Sequence, residues 1–235
     1  MSLVFTGKYW SIQRFVAGFA NNAYLVTCAR TNKSLIIDTP ENPSELISAT
    51  RSTAVEAILI THGHQDHVEG FGDVVSEFAV PVGVGDDDRS SLPESADTSI
   101  DVSAGKLISV GDITIRAIET PGHTPGSTCY LLDAPEIAPG IATGTGSAKT
   151  VASNENSHVF TGDTLFPGGP GKSSSHTALK QIIDSLESHI FTLPEGTSVL
   201  PGHGEFTTIG ESNREYSAFA ARPLDPELMG DVTWA

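Results

Sequence analysis

The sequence has few basic residues and only two cysteines, and each shortage excludes a class of protein. Thirteen lysines and arginines stand against 29 aspartates and glutamates, which gives a formal net charge of −16. Because cationic side chains hold the phosphate backbone of nucleic acids, we exclude nucleic acid as a partner. The two cysteines, Cys28 and Cys129, could form one disulfide at most, and both stand in strand-like runs. Reduced, buried thiols are therefore expected, which indicates a reducing cytoplasm.

Long apolar stretches are also missing. There is no run of about 18 apolar residues, so we predict no membrane span. Residues 1–5 lack the basic and then apolar pattern of a secretory signal, and none is expected. The 235 residues are 38% hydrophobic, which is enough for a sizeable core. We expect a single domain over residues 1–235.

Histidine and aspartate are concentrated in one short segment. His62, His64, Asp66 and His67 follow directly on the apolar run Ala57–Ile60. Imidazole and carboxylate are the ligands of borderline divalent metals. One His-x-His pair is weak evidence, but four such ligands in six consecutive residues rarely occur by chance. The segment therefore predicts a metal-binding loop after a buried strand.

Three further ligand candidates stand beside glycines. They are His123 in Thr120-Pro121-Gly122-His123, Asp163 in Thr161-Gly162-Asp163, and His203 in Pro201-Gly202-His203-Gly204. Glycine allows the backbone to turn sharply beneath a ligand. These three residues complete a set of seven candidate metal ligands.

Together these motifs resemble those of the metallo-β-lactamase superfamily, from about residue 12 to residue 206. The resemblance implies an α/β fold, the αββα sandwich, with two sheets between outer helices. Within the superfamily, the hydroxyacylglutathione hydrolase (glyoxalase II) branch is similar in the segments Thr120–Ser127, Phe160–Phe166, Gly168–Lys172 and Leu200–Gly204. True β-lactamases of this fold usually carry cysteine where Asp163 stands, which argues against β-lactam hydrolysis.

The resemblance assigns the seven ligands to two divalent metals. One set is His62, His64 and His123; the other is Asp66, His67 and His203. Asp163 would bridge the two metals, and a hydroxide shared between them would be the nucleophile. Asp66 could orient that nucleophile, so Asp66 and Asp163 are the expected catalytic residues. We expect zinc first, and iron and manganese also suit these ligands.

Two further residues gain roles from the resemblance. Asp38 closes a strand, where a carboxylate is either a turn former or a support for the metal-binding loop, and the family favours the second role. Lys172 ends the glycine-rich stretch after Asp163, where related enzymes bind a carboxylate of glutathione. The neighbouring tyrosine of the family is replaced by serines 173–175, and about 30 residues follow His203 instead of a helical domain. We therefore expect a short form that acts on a small-molecule thioester, with the thiol, the acyl group and the oligomeric state left open.

Two other reactions remain as alternatives. A persulfide dioxygenase shares the fold and much of the motif, but it uses one iron held by two histidines and one aspartate. Its stretch after the bridging aspartate tends to carry arginine, whereas this chain has the sequence PGGPGK at residues 167–172, which favours the hydrolase. Lactone hydrolysis would use the same hydroxide on an ester.

Local patterns predict the elements that frame these motifs. A hairpin turns on Gly111–Asp112, and helices are expected over residues 43–51, 68–78 and 177–188, the first of them capped by Asn42. The run Asp86–Asp88 is typical of a solvated acidic turn. Residues 134–156 are rich in small and polar residues, and we interpret them as an inserted surface loop.

Overall fold

Strand β3 (Asn21–Cys28) shows why the chain folds into layers. All of its residues are buried, and alternate side chains of a strand point to opposite faces of the sheet. Tyr24 and Val26 enter one apolar cluster, whereas Ala23 and Leu25 enter another. A strand that is buried on both faces needs a packed layer on each side. Here a second sheet supplies one layer and helices supply the other.

The computed structural model describes residues 1–133 and 156–234, which contain two six-stranded sheets. The strands of the first sheet, in spatial order, are β1 (Ser2–Thr6), β2 (Trp10–Ala17), β3, β4 (Lys33–Ile37), β5 (Ala54–Leu59) and β6 (Val82–Gly83). Those of the second sheet are β7 (Leu107–Val110), β8 (Ile113–Glu119), β9 (Thr128–Leu132), β10 (His158–Gly162), β13 (Ser198–Pro201) and β14 (Thr207–Thr208). A separate two-stranded ribbon consists of β11 (Leu165–Phe166) and β12 (Gly169–Pro170).

The two sheets share one apolar core. Tyr24 and Leu59 of the first sheet lie in the same buried cluster as Ile115, Tyr130 and Phe160 of the second. Burial of one such side chain contributes about 1.5–3 kcal/mol, so this shared cluster is what holds the sheets face to face.

Helices cover the outer faces of both sheets. They are α1 (Ser44–Thr50), α2 (Gln65–Val68), α3 (Phe71–Phe78), α4 (His176–Ser185) and α5 (Ile209–Ala220). Leu46 of α1 and Val74 of α3 pack on the first sheet, whereas Ile182 of α4 and Ile209 of α5 pack on the second. The four layers form an αββα sandwich, which confirms the fold predicted from the motifs.

Two of the helix predictions are wrong in detail. Asn42 has a φ of 52°, in the left-handed region, and Pro43 instead of Asn42 occupies the N-cap of α1. The helix predicted over 68–78 is two helices that break at Gly70. A Cβ at Gly70 would clash with the carbonyl oxygen of Pro40, so the chain passes there without a side chain and restarts at Phe71.

The third helix prediction is close to the structure. Helix α4 spans His176–Ser185 and is followed directly by a π-helical turn, Leu186–Ile190. Together they cover the predicted range 177–188. Ser175 caps α4, since its side chain accepts a hydrogen bond from the backbone N–H of Ala178. Strands β1 and β2 and helix α5 have no counterpart among the sequence predictions.

Two other sequence predictions, the hairpin at Gly111 and the reduced, buried cysteines, are confirmed. The hairpin of β7 and β8 turns at Gly111, which has a φ of 56°. Cys28 and Cys129 are both free and buried. In the described ranges, 1–133 and 156–234, none of the helices is both long and apolar enough to cross a membrane. Except for Asn156, the predicted loop 134–156 lies outside the described residues.

Candidate metal centre

Strand direction gathers the candidate ligands at one edge of the sandwich. Strand β10 is parallel to β13, and it is antiparallel to β9, which is antiparallel to β8. Strands β8, β10 and β13 therefore end at the same edge of the second sheet. The residues just beyond these ends are His123, Asp163 and His203 respectively. From the first sheet, the loop after β5 carries the other four candidates to the same place.

A first group of ligand atoms consists of three imidazole nitrogens. Nδ1 of His64 lies 3.1 Å from Nε2 of His62 and 2.9 Å from Nε2 of His123. His62 is buried, whereas His64 is exposed. All three nitrogens lie within 4.8 Å of one another. We call His62, His64 and His123 the first group.

A second group combines one carboxylate with two imidazoles. Nε2 of His203 lies 3.2 Å from Nε2 of His67 and 3.3 Å from Oδ2 of Asp66. His67 is buried, and Asp66 and His203 are half-buried. We call Asp66, His67 and His203 the second group.

Asp163 lies between the two groups. Its Oδ1 is 3.4 Å from Nε2 of His67, and its Oδ2 is 3.5 Å from Nε2 of His203 and 3.6 Å from Nε2 of His123. The buried Oδ1 accepts no hydrogen bond from the described residues. One carboxylate thus faces nitrogens of both groups with a lone pair available.

In His123 and His203, the hydrogen bond made by Nδ1 shows that Nε2, which faces the centre, is an acceptor. Nδ1 of His123 lies 2.8 Å from the carbonyl oxygen of Lys172, and Nδ1 of His203 lies 3.2 Å from that of Phe19. A carbonyl oxygen can only accept, so each Nδ1 carries the hydrogen and each Nε2 presents a lone pair inward. Lone pairs that converge at about 3 Å repel one another unless a proton or a cation lies between them. This donor set therefore fits divalent cations.

Asp38 orients the imidazole rings of His67 and His62. Its buried carboxylate accepts hydrogen bonds from the backbone N–H of Thr61 at 2.7 Å and from the Thr61 hydroxyl at 2.8 Å. Oδ2 also lies 3.0 Å from Nδ1 of His67. Because the Thr61 hydroxyl donates to Asp38, its oxygen is free to accept from Nδ1 of His62, 3.2 Å away. Asp38 thus acts on His67 directly and on His62 through Thr61.

Burial and charge set the protonation of these groups. Burial lowers the pKa of His62 well below its ordinary value, which favours the neutral, metal-binding form. Burial would also lower the pKa of His67, but the neighbouring carboxylates of Asp163 and Asp38 outweigh it and raise that pKa to about 10. Burial would raise the pKa of Asp163, yet His67 and the other imidazoles hold it below its usual range. A cation that binds His67 therefore displaces a proton.

Two glycines make room for this centre. A Cβ at Gly171 would clash with the carbonyl oxygen of Asp163, and a Cβ at Gly202 would clash with Oδ1 of Asp163. The close approach of these backbones to the carboxylate explains why glycines flank the ligands.

Asn21 belongs to the centre although the motif analysis does not single it out. Its amide nitrogen donates to Oδ2 of Asp66 at 2.9 Å and lies 3.3 Å from Nε2 of His203, with which its residue also forms a β-bridge. Burial would raise the pKa of Asp66, but the Asn21 hydrogen bond together with the imidazoles of His67 and His203 outweighs burial, and the pKa is lowered. The signal in the sequence is a polar residue at the start of an otherwise apolar strand.

The acidic run Asp86–Asp88 corrects one sequence prediction. Asp86 and Asp87 are exposed, as a solvated turn requires, but Asp88 is buried. Its carboxylate accepts a hydrogen bond from the backbone N–H of Gly63, the residue between His62 and His64. The prediction of a solvated turn is therefore wrong for Asp88, because a folded loop supplies the donors that water would otherwise provide.

Lys172 contributes to the centre through its backbone. Its carbonyl oxygen is the partner of His123, while its side chain is exposed at the edge of the centre. The position is compatible with the anion-binding role expected from the sequence.

Comparisons with known proteins agree with this architecture. The sequence profile of the metallo-beta-lactamase superfamily matches residues 16–228. The chain therefore belongs to the metallo-β-lactamase superfamily. A crystal structure of the BLEG-1 B3 metallo-beta-lactamase has the same fold, with a TM-score of 0.68 and 24% identity over 85% of this chain and 95% of that one.

Relatives of this chain at about 30% identity include hydroxyacylglutathione hydrolases, as the motif resemblance predicts. The cytoplasmic isozyme of Saccharomyces cerevisiae is 30% identical over 83% of this chain and 67% of its own length. The cytoplasmic enzyme of Arabidopsis thaliana is 29% identical over 92% of this chain and 74% of its own length. The family and these relatives support a metal-dependent hydrolase.

Proposed function

We propose that the protein is a binuclear metal-dependent thioesterase of the hydroxyacylglutathione hydrolase type. The observation that carries this proposal is the position of Asp163, whose two carboxylate oxygens face His67 on one side and His123 and His203 on the other. A bridging carboxylate offsets the repulsion between two dications. The first group would hold one metal and the second group the other.

The chemistry follows from what such a centre supplies and from what the chain does around it. Two divalent metals held there would supply a hydroxide near neutral pH and would polarise a carbonyl oxygen. Asn21 fixes the Asp66 carboxylate toward the centre, where that carboxylate would orient the attacking oxygen. No thiol nucleophile is needed, and burial raises the pKa of Cys129 to about 11, which leaves it protonated at neutral pH.

Lys172 would bind a carboxylate of the thiol part of a small-molecule thioester. Its exposed side chain stands one residue beyond Gly171, which touches the backbone of Asp163. A charge-assisted contact of this kind contributes roughly 1–3 kcal/mol. We propose zinc as the first metal to test and iron or manganese next.

The whole chain would act as one unit in the cytoplasm. A single domain over residues 1–235 is supported by the family match, which spans both sheets. A cytoplasmic location is supported by the free cysteines and by the names of the two relatives described above.

Hydrolysis of a hydroxyacyl thioester of glutathione tests the proposal, with thiol release as the readout and metal content measured on the same sample. We expect turnover with two metals per chain, lost in Asp163→Ala and kept in Cys129→Ala. A neutral thioester, a lactone and a β-lactam run in parallel show how far activity depends on the substrate. Oxygen consumption with glutathione persulfide by a protein that binds one iron would overturn the proposal in favour of a dioxygenase.

A further inference from the structure

We propose that Asp88 is a positioning residue that ties together the two loops of the first group and thereby controls the affinity of that group for its metal. This inference rests on the proposed binuclear centre and deepens it. Asp88 follows strand β6 in a short 3-10 helix, Asp86–Ser91, far in sequence from the loops it joins.

The Asp88 carboxylate accepts hydrogen bonds from both loops. Oδ2 accepts from the backbone N–H of Gly63 at 2.8 Å and from the hydroxyl of Thr124 at 2.6 Å. Oδ1 accepts from the backbone N–H of Gly126 at 3.1 Å. Gly63 separates His62 from His64, and Thr124 directly follows His123. One side chain thus holds a residue next to each of the three ligands of the first group.

A carboxylate is needed here because all three partners donate. Asp88 is only 7% exposed, so donors that lose it have little water to replace it, and an unsatisfied buried donor is costly. An asparagine of the same shape would turn its amide hydrogens toward at least one N–H. The packing is equally restrictive, since a Cβ at Gly126 would lie 2.6 Å from the Asp88 nitrogen and one at Gly63 would lie 3.1 Å from its Cβ.

The second group is held by different side chains. Asp38 contacts His67, and Asn21 contacts Asp66, as described above. The loops also share one backbone hydrogen bond, from Thr128 to Thr61 at 2.8 Å, so the removal of Asp88 leaves them connected. The effect of Asp88 should therefore fall on one metal out of two, which a general loss of stability would not produce.

The test is the titration of metal-free protein with Co²⁺ alone, followed by its absorption spectrum and by competition with a chelator. The variants are Asp88→Asn, the exposed neighbour Asp87→Asn as matched control, and two spectral references, His64→Ala for loss of the first group and His203→Ala for loss of the second. We expect Asp88→Asn to bind one Co²⁺ about 10- to 100-fold more weakly than the wild type. The affinity of Asp88→Asn for the other Co²⁺ should change less than about threefold. The spectrum of Asp88→Asn with one Co²⁺ bound should match that of His64→Ala. Asp87→Asn should match the wild type.

Equal weakening of both metals, or a one-metal spectrum like that of His203→Ala, would overturn the proposal. Circular dichroism of the metal-free proteins checks folding. If Asp88→Asn is unfolded, Thr124→Val decides the matter, because it removes one of the three hydrogen bonds at nearly constant volume. A selective loss of a few-fold at the first group would support the inference, and unchanged affinities would refute it. If the wild type binds only one metal, the proposed binuclear function is refuted. The Asp88 inference is then tested on that one metal: if its spectrum is that assigned to the first group, its affinity should fall in Asp88→Asn, and an unchanged affinity would refute the inference.

Discussion

The first group has three imidazoles and the second has two imidazoles and a carboxylate, and the two groups are fixed in different ways. In the first group, Asp88 holds the backbone at Gly63, between two of the ligands, and at Gly126, in the loop of the third, and His123 is also held by a backbone carbonyl. In the second group, Asp38 and Asn21 act directly on the side chains of His67 and Asp66, and His203, like His123, is held by a backbone carbonyl. A ligand on a loop can thus be placed through the loop or through the ring, and the two methods should fail differently.

Removal of the shared ligand should have the largest effect. Asp163→Ala takes away the only carboxylate that, among the described residues, faces both groups. We expect kcat to fall on the order of 10³-fold or more, since both metals lose a ligand. The steady-state rate and metal content of the variant measure this. Cys129→Ala should stay within about threefold, because it only trims a buried strand side chain. Similar losses in two folded variants would contradict the bridging role.

Removal of the metals should show how much each group contributes to stability. We expect two equivalents per chain by elemental analysis. A ligand present at 100 times its Kd stabilises the folded state by about 2.7 kcal/mol, which is roughly 5–10 °C in Tm for a chain of this size. Thermal unfolding of chelated and reloaded protein gives the total shift. His203→Ala should show about half of it, and a full shift in that variant would mean that the second group holds no metal.

Asp38→Asn should weaken metal binding at the second group, whereas Asp88→Asn should weaken it at the first. It weakens the hydrogen bond that orients His67, so the metal of the second group should bind about 10- to 100-fold more weakly. His62 should be affected less, because Thr61 stands between it and Asp38. Co²⁺ titration gives both affinities, with the exposed Asp73→Asn as control. A loss confined to the first group would refute the division between direct and indirect support.

Lys172→Ala should have the smallest effect and should leave both groups intact. The carbonyl oxygen that orients His123 survives the substitution, so metal content should not change. We expect KM for a carboxylated thioester to rise about 5- to 150-fold with kcat changed much less. A neutral thioester and the exposed Lys180→Ala serve as controls. A collapse of kcat with both metals retained would place Lys172 in the chemical step instead.

The sequence alone predicted the residues that belong to a compact motif or whose contacts lie nearby in the chain. The four ligands in residues 62–67 and the glycine-flanked His123, Asp163 and His203 belong to this class, and so does the hairpin at Gly111. Asp88 and Asn21 do not, because their partners lie 25 to 182 positions away and only the packed sheets bring them together. An acidic run has the same composition whether water or a buried loop satisfies it.

The helix boundaries failed for a related reason. The apolar pattern over residues 68–78 is continuous, but the contact of Gly70 with Pro40 depends on tertiary packing that no local period encodes. The N-cap of α1 shifted by one residue because Asn42 adopts a left-handed turn.

The pairing of Asn21 and Asn22 with the His203 loop has a consequence for biosynthesis. Asn22 donates from its backbone N–H to the carbonyl of Gly202 at 2.7 Å, so the start of the fold is completed by nearly its last strand. A ribosome that adds about 5–20 residues per second delivers His203 roughly 7–30 s after His62. For that interval a nascent chain carries the metal-binding loop without a complete set of ligands. The full set of seven is available to metals only when the chain is nearly finished.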